Sequence, residues 1–386
     1  MANISTRTWL GCKDVTDSDE INKQAGEIAQ LFAAFIDKTT KTLHIAIYDF
    51  HFAASQGRVV IDALNAAAEK GHDVRIAYFD QPAGRNARAS GASGAPSTRA
   101  SDLASLHKKI QVQPIKGVDI NDIPENEREP IEGGGHLMHS KYMVRDGQAV
   151  WMGSANFTTD AFALQDNNIV QIDSAKIAQC YETDFEELWK AGRIAGTGKD
   201  DHGSDTVDGS HVEVDFSPGD GATIDQTIAK AIAAAMTSVD IASMVISSGA
   251  ILDALAGVMA KGVKLSGVYD GPEMKVVLTD WGKSGKSTAK ANQWKKVSTH
   301  LVPKWSYPYS PNGPHNFMHD KLVVVDEKQV ITGSFNFSEN ATHNAENVLT
   351  MNDAAVAKQY AAYVASLVAA YKGGHPVSAP YKGRKR

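Results

Sequence analysis

A chain of 386 residues with 42% hydrophobic content is long enough for two domains or for one large body in two parts. Its net charge of −6 argues against indiscriminate adhesion to nucleic acid or anionic lipid, although a local basic cleft stays open. Cys12 and Cys180 are too few and too far apart for a disulfide scaffold or a cysteine-rich metal site, and the opening "MANISTRTWLGCKD" lacks the apolar core of a signal peptide, so a cytoplasmic protein without a transmembrane segment is expected.

In chain order, "NKQAGEIAQLFAAFIDKT" has helical periodicity, "LHIAIYDF" reads as a buried strand, "VVIDALNAAAEKG" as a helix closed by Gly71, and "VRIAYFD" as a second strand. This βα alternation predicts a mixed sheet covered by helices. The stretch from Ala83 to Ser101 is Gly- and Ser-rich and reads as flexible, and a polar Gly-rich run over 196–211 reads as a connector. The same order then begins again: "SVDIASMVI" at Ser238 resembles "TLHIAIYDF" at Thr42, and "LDALAGVMAKGVKLSGVYDG" at Leu252 resembles "IDALNAAAEKGHDVRIAYFD" at Ile61.

The repeat is sharpest where its polar residues lie. "HSKYMVRDGQAVWMGSAN" (His139 to Asn156) matches "HDKLVVVDEKQVITGSFN" (His319 to Asn336), each paired position standing 180 residues from its partner (319 − 139 = 180). On a strand His139 and Lys141 project from one face, Asp146-Gly147 suits a tight turn, and "AVWM" returns to bring Ser154 and Asn156 back beside them. One His-x-Lys on a strand is a chance event in many proteins. Two complete copies, in a repeat whose other positions diverge, point to chemistry.

The two copies resemble the signature of the phospholipase D superfamily, His-x-Lys-x4-Asp followed by Gly-Ser-x-Asn. The resemblance implies an α/β, bilobal αβαβα sandwich with mixed sheets, in which two half-sites meet at a pseudo-twofold axis to form one centre for phosphodiester bonds. The implied division is a first repeat over 1–195, a linker over 196–211, a second repeat over 212–375 and a basic tail over 376–386. One chain then carries a complete site, so a monomer suffices.

A phosphodiester is anionic, so cations must neutralise its nonbridging oxygens while one group attacks and another protonates the leaving oxygen. Lys141, Lys321, Asn156, Asn336, Ser154 and Ser334 can supply that clamp without a metal ion or another cofactor. By resemblance, His139 is the nucleophile that forms a phosphohistidine and His319 is the general acid and base. Asp166 and Glu346, each 27 residues beyond its motif histidine, resemble the family's orienting carboxylates (166 − 139 = 346 − 319 = 27). Asp146 and Asp326 sit beyond the strand ends, where structural hydrogen bonds are expected of them.

The family includes nucleases and lipid phosphodiesterases, so the substrate must be read elsewhere. Between Gly271 and Ser310 lysines interleave with aromatics, among them Trp294, Lys295, Lys296 and Trp305. That mixture suits stacked bases and a neutralised backbone in single-stranded nucleic acid, equally suits anionic lipid headgroups, and also fits a solvated loop with aromatics packed beneath. A nuclease preferring single strands is the favoured expectation, with a phospholipase D or related lipid phosphodiesterase as the alternative. "GKSGKST" (Gly282 to Thr288) departs from a nucleotide-binding loop because Asp280 stands where glycine is required, and His136 in "GGGHLMH" lacks companions for zinc.

Overall fold

The computed structural model describes residues 3–52, 54–80, 98–124, 135–284, 287–310 and 313–377. Most of the stretch from Ala83 to Ser101, and nearly all of the basic tail, therefore lie outside the described residues.

Among the described residues the main sheet of the first half is built from seven strands, β1 (Ile4–Trp9), β2 (Thr42–Ile47), β3 (Asp73–Asp80), β4 (Gln111–Lys116), β5 (Lys141–Arg145), β6 (Ala149–Gly153) and β7 (Asn167–Asp173). They lie in one sheet in the order β1-β7-β6-β5-β2-β3-β4. β2, β3 and β4 are parallel neighbours, whereas β5 runs antiparallel to β2, so the sheet is mixed. The second half forms β8 (Gly203–Val207), β9 (Ser210–Ser217), β10 (Ser238–Ser243), β11 (Lys264–Asp270), β12 (Leu301–Lys304), β13 (Lys321–Val325), β14 (Gln329–Gly333) and β15 (Glu346–Asn352). Their order, β8-β9-β15-β14-β13-β10-β11-β12, repeats the pattern of the first sheet with one more edge strand.

Among the described residues eight longer helices complete the layers: α1 (Ser18–Ile36), α2 (Ala54–Glu69), α3 (Ala175–Ala191), α4 (Gly221–Ala233), α5 (Gly249–Ala260), α6 (Gly271–Ser284), α7 (Thr288–Val297) and α8 (Ala354–Tyr371). α1 starts where the Asp17 carboxylate accepts from the N–H groups of Asp19 and Glu20, and its Ile21, Ile28, Phe32 and Phe35 stripe buries against Leu43, Ile45 and Ile47 of β2. Each such side chain contributes about 1.5–3 kcal/mol on burial. The opposite face of the first sheet, with Tyr142 and Val144, packs on Tyr181 and Phe185 of α3, and the same core continues through Tyr360 and Val364 of α8 to Leu322 and Val324 of β13. Beyond the second sheet lie α4 to α7. The result is an αβαβα sandwich with α3 and α8 as its central layer.

The segment 196–211, expected as a linker, is built into the fold. It contains β8, turns at Asp208-Gly209 with φ of 51° and 85°, and enters β9 to form the edge of the second sheet. Asp208 also accepts from the backbone N–H of Asn3 at 2.6 Å, tying this hairpin to the strand that opens the first half.

Candidate active site

Both motif histidines stand just ahead of a strand, His139 before β5 and His319 before β13. The register places Lys141 beside Ile47 and Lys321 beside Ser243, the carboxyl ends of β2 and β10. Cross-pairing between the halves brings those ends together. His139 donates its backbone N–H to Ala345 O at 2.8 Å, Ala345 returns one to Leu137 O at 2.8 Å, and on the other side Asp166 and His319 bond Phe317 and Asp166 in the same way. Each lysine ammonium donates to the carbonyl of its own motif histidine, at 2.5 Å for Lys141 and 2.7 Å for Lys321.

The Gly-Ser pair of each motif has a steric explanation. A Cβ on Gly153 would lie 2.2 Å from Asn168 O, and one on Gly333 would lie 2.1 Å from Asn347 O, so only glycine lets the return strand pass this close. The following serines are fully buried. Ser154 Oγ accepts from Asn168 N and donates to Asn167 Oδ1 at 2.8 Å, while Ser334 Oγ accepts from Asn347 N and also bonds Glu346. They are therefore removed from the phosphate clamp in which they were expected, and they brace the groups that hold the histidines. Lys141, Lys321, Asn156 and Asn336 remain as its candidates, all four of them buried.

Glu346, with no exposed surface, accepts from His139 Nδ1 at 2.8 Å across the dyad and from Asn344 Nδ2 at 2.9 Å. Burial pushes its carboxyl up to about 7 against the opposing pull of Lys141, Asn344, Ser334 and Lys321. The partner of His319 is not Asp166. Its Nδ1 meets Asn167 Oδ1 at 3.0 Å, while the Asp166 carboxylate takes the Lys304 ammonium at 2.8 Å, the Tyr371 hydroxyl at 2.7 Å and the Gly11 N–H at 2.8 Å.

The displacement comes from a one-residue insertion. Gly153 pairs with Ile169 and Gly333 with Val348, so the first half spends one residue more between motif and return strand (169 − 153 = 16, 348 − 333 = 15). Past that point the repeat offset is 179, and Asn167 is the true counterpart of Glu346. A change of one residue along a strand reverses the face on which a side chain stands.

His319 feels the whole centre. Burial, then Lys321, Lys141 and His139, hold its proton affinity well below the ordinary imidazole value. Since two of these groups come from the first half, the two motifs share one electrostatic site. Tyr48 lies edge-on to His139 with ring centroids 4.7 Å apart, and Lys141 Nζ sits 5.1 Å from its ring centre. Asp320, the middle residue of the second His-x-Lys, is buried against Asn168 Nδ2 at 2.7 Å and the Tyr363 hydroxyl at 2.8 Å. Nothing in the spacing marked Asn167, Tyr48 or Asp320, because their partners lie up to a half-chain away.

Asp146 and Asp326 stand at the far ends of β5 and β13 and do not approach the histidines. Asp146 accepts from the N–H groups of Thr40, Lys41 and Thr42, and Asp326 from those of Met236, Thr237 and Ser238, each carboxylate fastening the start of the neighbouring strand.

Trp294, Lys295 and Lys296, expected in a substrate loop, lie on a helix, α7. Trp294 is buried edge-on to Tyr269 at 4.8 Å, and Lys295 and Lys296 are exposed at the end of α7. That end feeds the amino terminus of β12, whereas the carboxyl terminus of β12 faces the site, through Lys304 beside Asp270. Trp305 is half-buried against Gly271. His136 stacks on His343 from the other half at 4.9 Å, and burial together with that neighbour lowers its pKa to about 4. Among the described residues one group has metal-ligand composition, His44 with Glu182 and Glu186, but Arg75 bonds Glu186 at 3.1 Å and Asp73 at 2.6 Å beside it, so a cation is already present.

The family model described as "Cardiolipin synthase, PLD-like domain" matches residues 32–189 and 228–368, one match per half. A phospholipase D from Rickettsia bellii is 30% identical over 152 residues, which are 39% of this chain and 66% of that protein. The mitochondrial cardiolipin hydrolase of Xenopus laevis is 32% identical over 98 residues, 23% of this chain and 47% of its own. The chain thus spans between about half and two thirds of the length of these relatives. The crystal structure of a phosphatidylserine synthase from Haemophilus influenzae shares the fold over 94% of this chain and 86% of its own, with a TM-score of 0.61 at 12% identity. With both halves matched and both motifs complete, the chain belongs to the phospholipase D superfamily.

Proposed function

We propose that the protein is a phosphodiester hydrolase that works without a metal ion through a phosphohistidine on His139. The observation that carries this reading is the hydrogen bond from His139 to buried Glu346 of the opposite half. It holds the proton on Nδ1, which puts the ring's lone pair on Nε2, the atom that attacks phosphorus. When the N–P bond forms the ring becomes cationic, and the carboxylate behind it stabilises that charge. His319, held by a neutral amide and weakened as a base by its surroundings, is the better proton donor to the leaving alkoxide. In the second step it takes a proton from water, the water oxygen attacks phosphorus, and the N–P bond breaks. Lys141 and Lys321 replace the charge that metal ions bring to other phosphodiesterases.

Nucleic acid is the substrate class we favour. Both motifs end in Gly-Ser-x-Asn-Phe followed by Thr or Ser and the second continues to "NAEN", endings similar to those of the family's nuclease branches. Among the described residues the large exposed apolar side chains include Leu31 on α1, Val112 on β4, Met236 before β10, and Val276 and Leu278 on α6. The relatives named phospholipase D and cardiolipin hydrolase support the second reading, a phospholipid headgroup. Single- and double-stranded DNA, RNA and cardiolipin or phosphatidylcholine vesicles incubated in chelator separate the two. A rapid acid-free quench with labelled substrate should find the adduct on His139, lost in His139→Ala. An adduct on His319 would reverse the roles, and inversion at phosphorus would exclude the two-step course.

A further inference from the structure

The segment leading into the second motif carries a stack of three rings. Phe317, two residues before His319, is buried and lies nearly parallel to His315 at 5.7 Å and 11°. His315 in turn lies against Tyr309 at 5.2 Å and 17°. The outermost ring, Tyr309, is 53% exposed, the most open aromatic among the described large apolar residues.

The inner part of the stack, His315 and Phe317, is tied into both halves. His315 Nε2 bonds Ser310 O at 2.9 Å, and its backbone N–H donates to Asp160 Oδ2 at 3.2 Å. Asp160 follows Asn156 of the first motif by only four residues. Asn316 Oδ1 accepts from Tyr307 N at 2.9 Å, and Phe317 O accepts from Lys304 Nζ at 3.1 Å and from Asp166 N at 3.1 Å. The ring column therefore runs outward from the catalytic histidine and is held by both halves.

We propose that the open face of Tyr309 is a stacking platform for a base of single-stranded nucleic acid flanking the scissile phosphate. This rests on the nuclease reading and gives it the aromatic contact that Trp294 cannot supply. A flat ring already backed by two parallel rings needs no rearrangement to receive a base, and every base presents a π-face, so the contact is tolerant of sequence. His315, between two aromatic faces, is the element that fixes the tilt of the platform.

The test compares three substrates in chelator: a single-stranded oligodeoxynucleotide, the same strand abasic on either side of one scissile phosphate, and bis(p-nitrophenyl) phosphate. Tyr309→Ala should raise KM for the first by about 5–150-fold, Tyr309→Trp should restore it, and neither of the other substrates should show that discrimination. Equal losses on all three substrates would make Tyr309 a structural loop residue and overturn the platform, as would an unchanged KM in the alanine variant while the oligonucleotide is still cut. If the unaltered protein hydrolyses bis(p-nitrophenyl) phosphate but cuts no oligonucleotide, the nuclease reading itself falls and the platform with it.

Discussion

Replacing Glu346 by glutamine isolates the charge behind His139 while keeping the shape of the side chain. The carboxylate has one oxygen 2.8 Å from His139 Nδ1 and the other 2.9 Å from Asn344 Nδ2. A glutamine oxygen can still accept from the imidazole, while its NH2 faces Asn344 Nδ2, whose Oδ1 is already held by the Leu137 N–H, so that one neighbouring hydrogen bond is lost as well. What is lost, at a pH above the value of about 7 to which burial pushes this carboxyl, is the anion facing a cationic ring in the covalent intermediate. With charge centres about 4 Å apart and an effective dielectric of about 20, that attraction is about 4 kcal/mol, an upper bound because glutamine retains the hydrogen bond. A fall in the rate of phosphoenzyme formation of about 10²–10³-fold is therefore expected. Rapid-quench single turnover of a chromogenic phosphodiester measures it, with circular dichroism confirming the fold. Asn167→Ala serves as the contrasting variant, since the group it removes from His319 is neutral. A Glu346→Gln rate within threefold of the unaltered protein would refute the role given to this carboxylate.

The free-enzyme proton affinity of His319 is lowered by burial and by Lys321, Lys141 and His139, so kcat/KM should decline as pH rises from below the ordinary imidazole range. Bound phosphate adds a negative charge beside it, so the same limb in kcat should lie at higher pH, and coincident limbs would contradict the assignment of His319 as acid. Turnover should survive excess EDTA. Loss on chelation with recovery in magnesium or zinc would remove the lysine clamp as the neutralising device. For Asp326, partial burial is outweighed by the N–H groups of Ser238, Thr237 and Met236, which bring its pKa to about 2. Its stabilisation is thus full above the usual 3.8 and lost as pH falls through about 2. At neutral pH Asp326→Ala should cost about 1–2 kcal/mol after allowance for solvent screening, read as a lower urea midpoint. Lys295→Ala with Lys296→Ala should leave the salt dependence of substrate binding unchanged, and a flattened dependence would mean that the strand path extends to the far end of β12.

The paired motifs were legible in the sequence because their signal is local: each motif spans one hairpin, and the hairpin alone aligns histidine, lysine, glycine and asparagine. The sandwich was legible for a related reason, since strand and helix order repeats from one half to the other. Partners contributed across the dyad were harder to read. Asn167 was hidden by a single inserted residue, which an alignment by type assigns to the wrong side of Asp166 while the backbone register does not. The serines were harder to place because the same hydroxyl can serve a phosphate or a neighbouring strand, and it is their bonds to Asn167, Asn168, Asn347 and Glu346, rather than a burial they share with Lys141 and Lys321, that set them apart. Trp294 and its adjacent lysines have the composition of a nucleic-acid surface, yet a helix between two strands carries them away from the edge where the chemistry sits.

The crossed pairing of Leu137–His139 with Ala345, and of Asp166 with Phe317 and His319, bears on how the protein is made. During synthesis the first half emerges complete with its imidazole and ammonium, but the carboxylate that fixes that imidazole is about two hundred residues further along the chain (346 − 139 = 207). A ribosome adding about 5–20 residues per second leaves an interval of about ten seconds or more in which the first motif is translated but has no orienting partner. The phosphodiester site is thereby incomplete throughout synthesis of the second half, and is assembled only when β15 has docked.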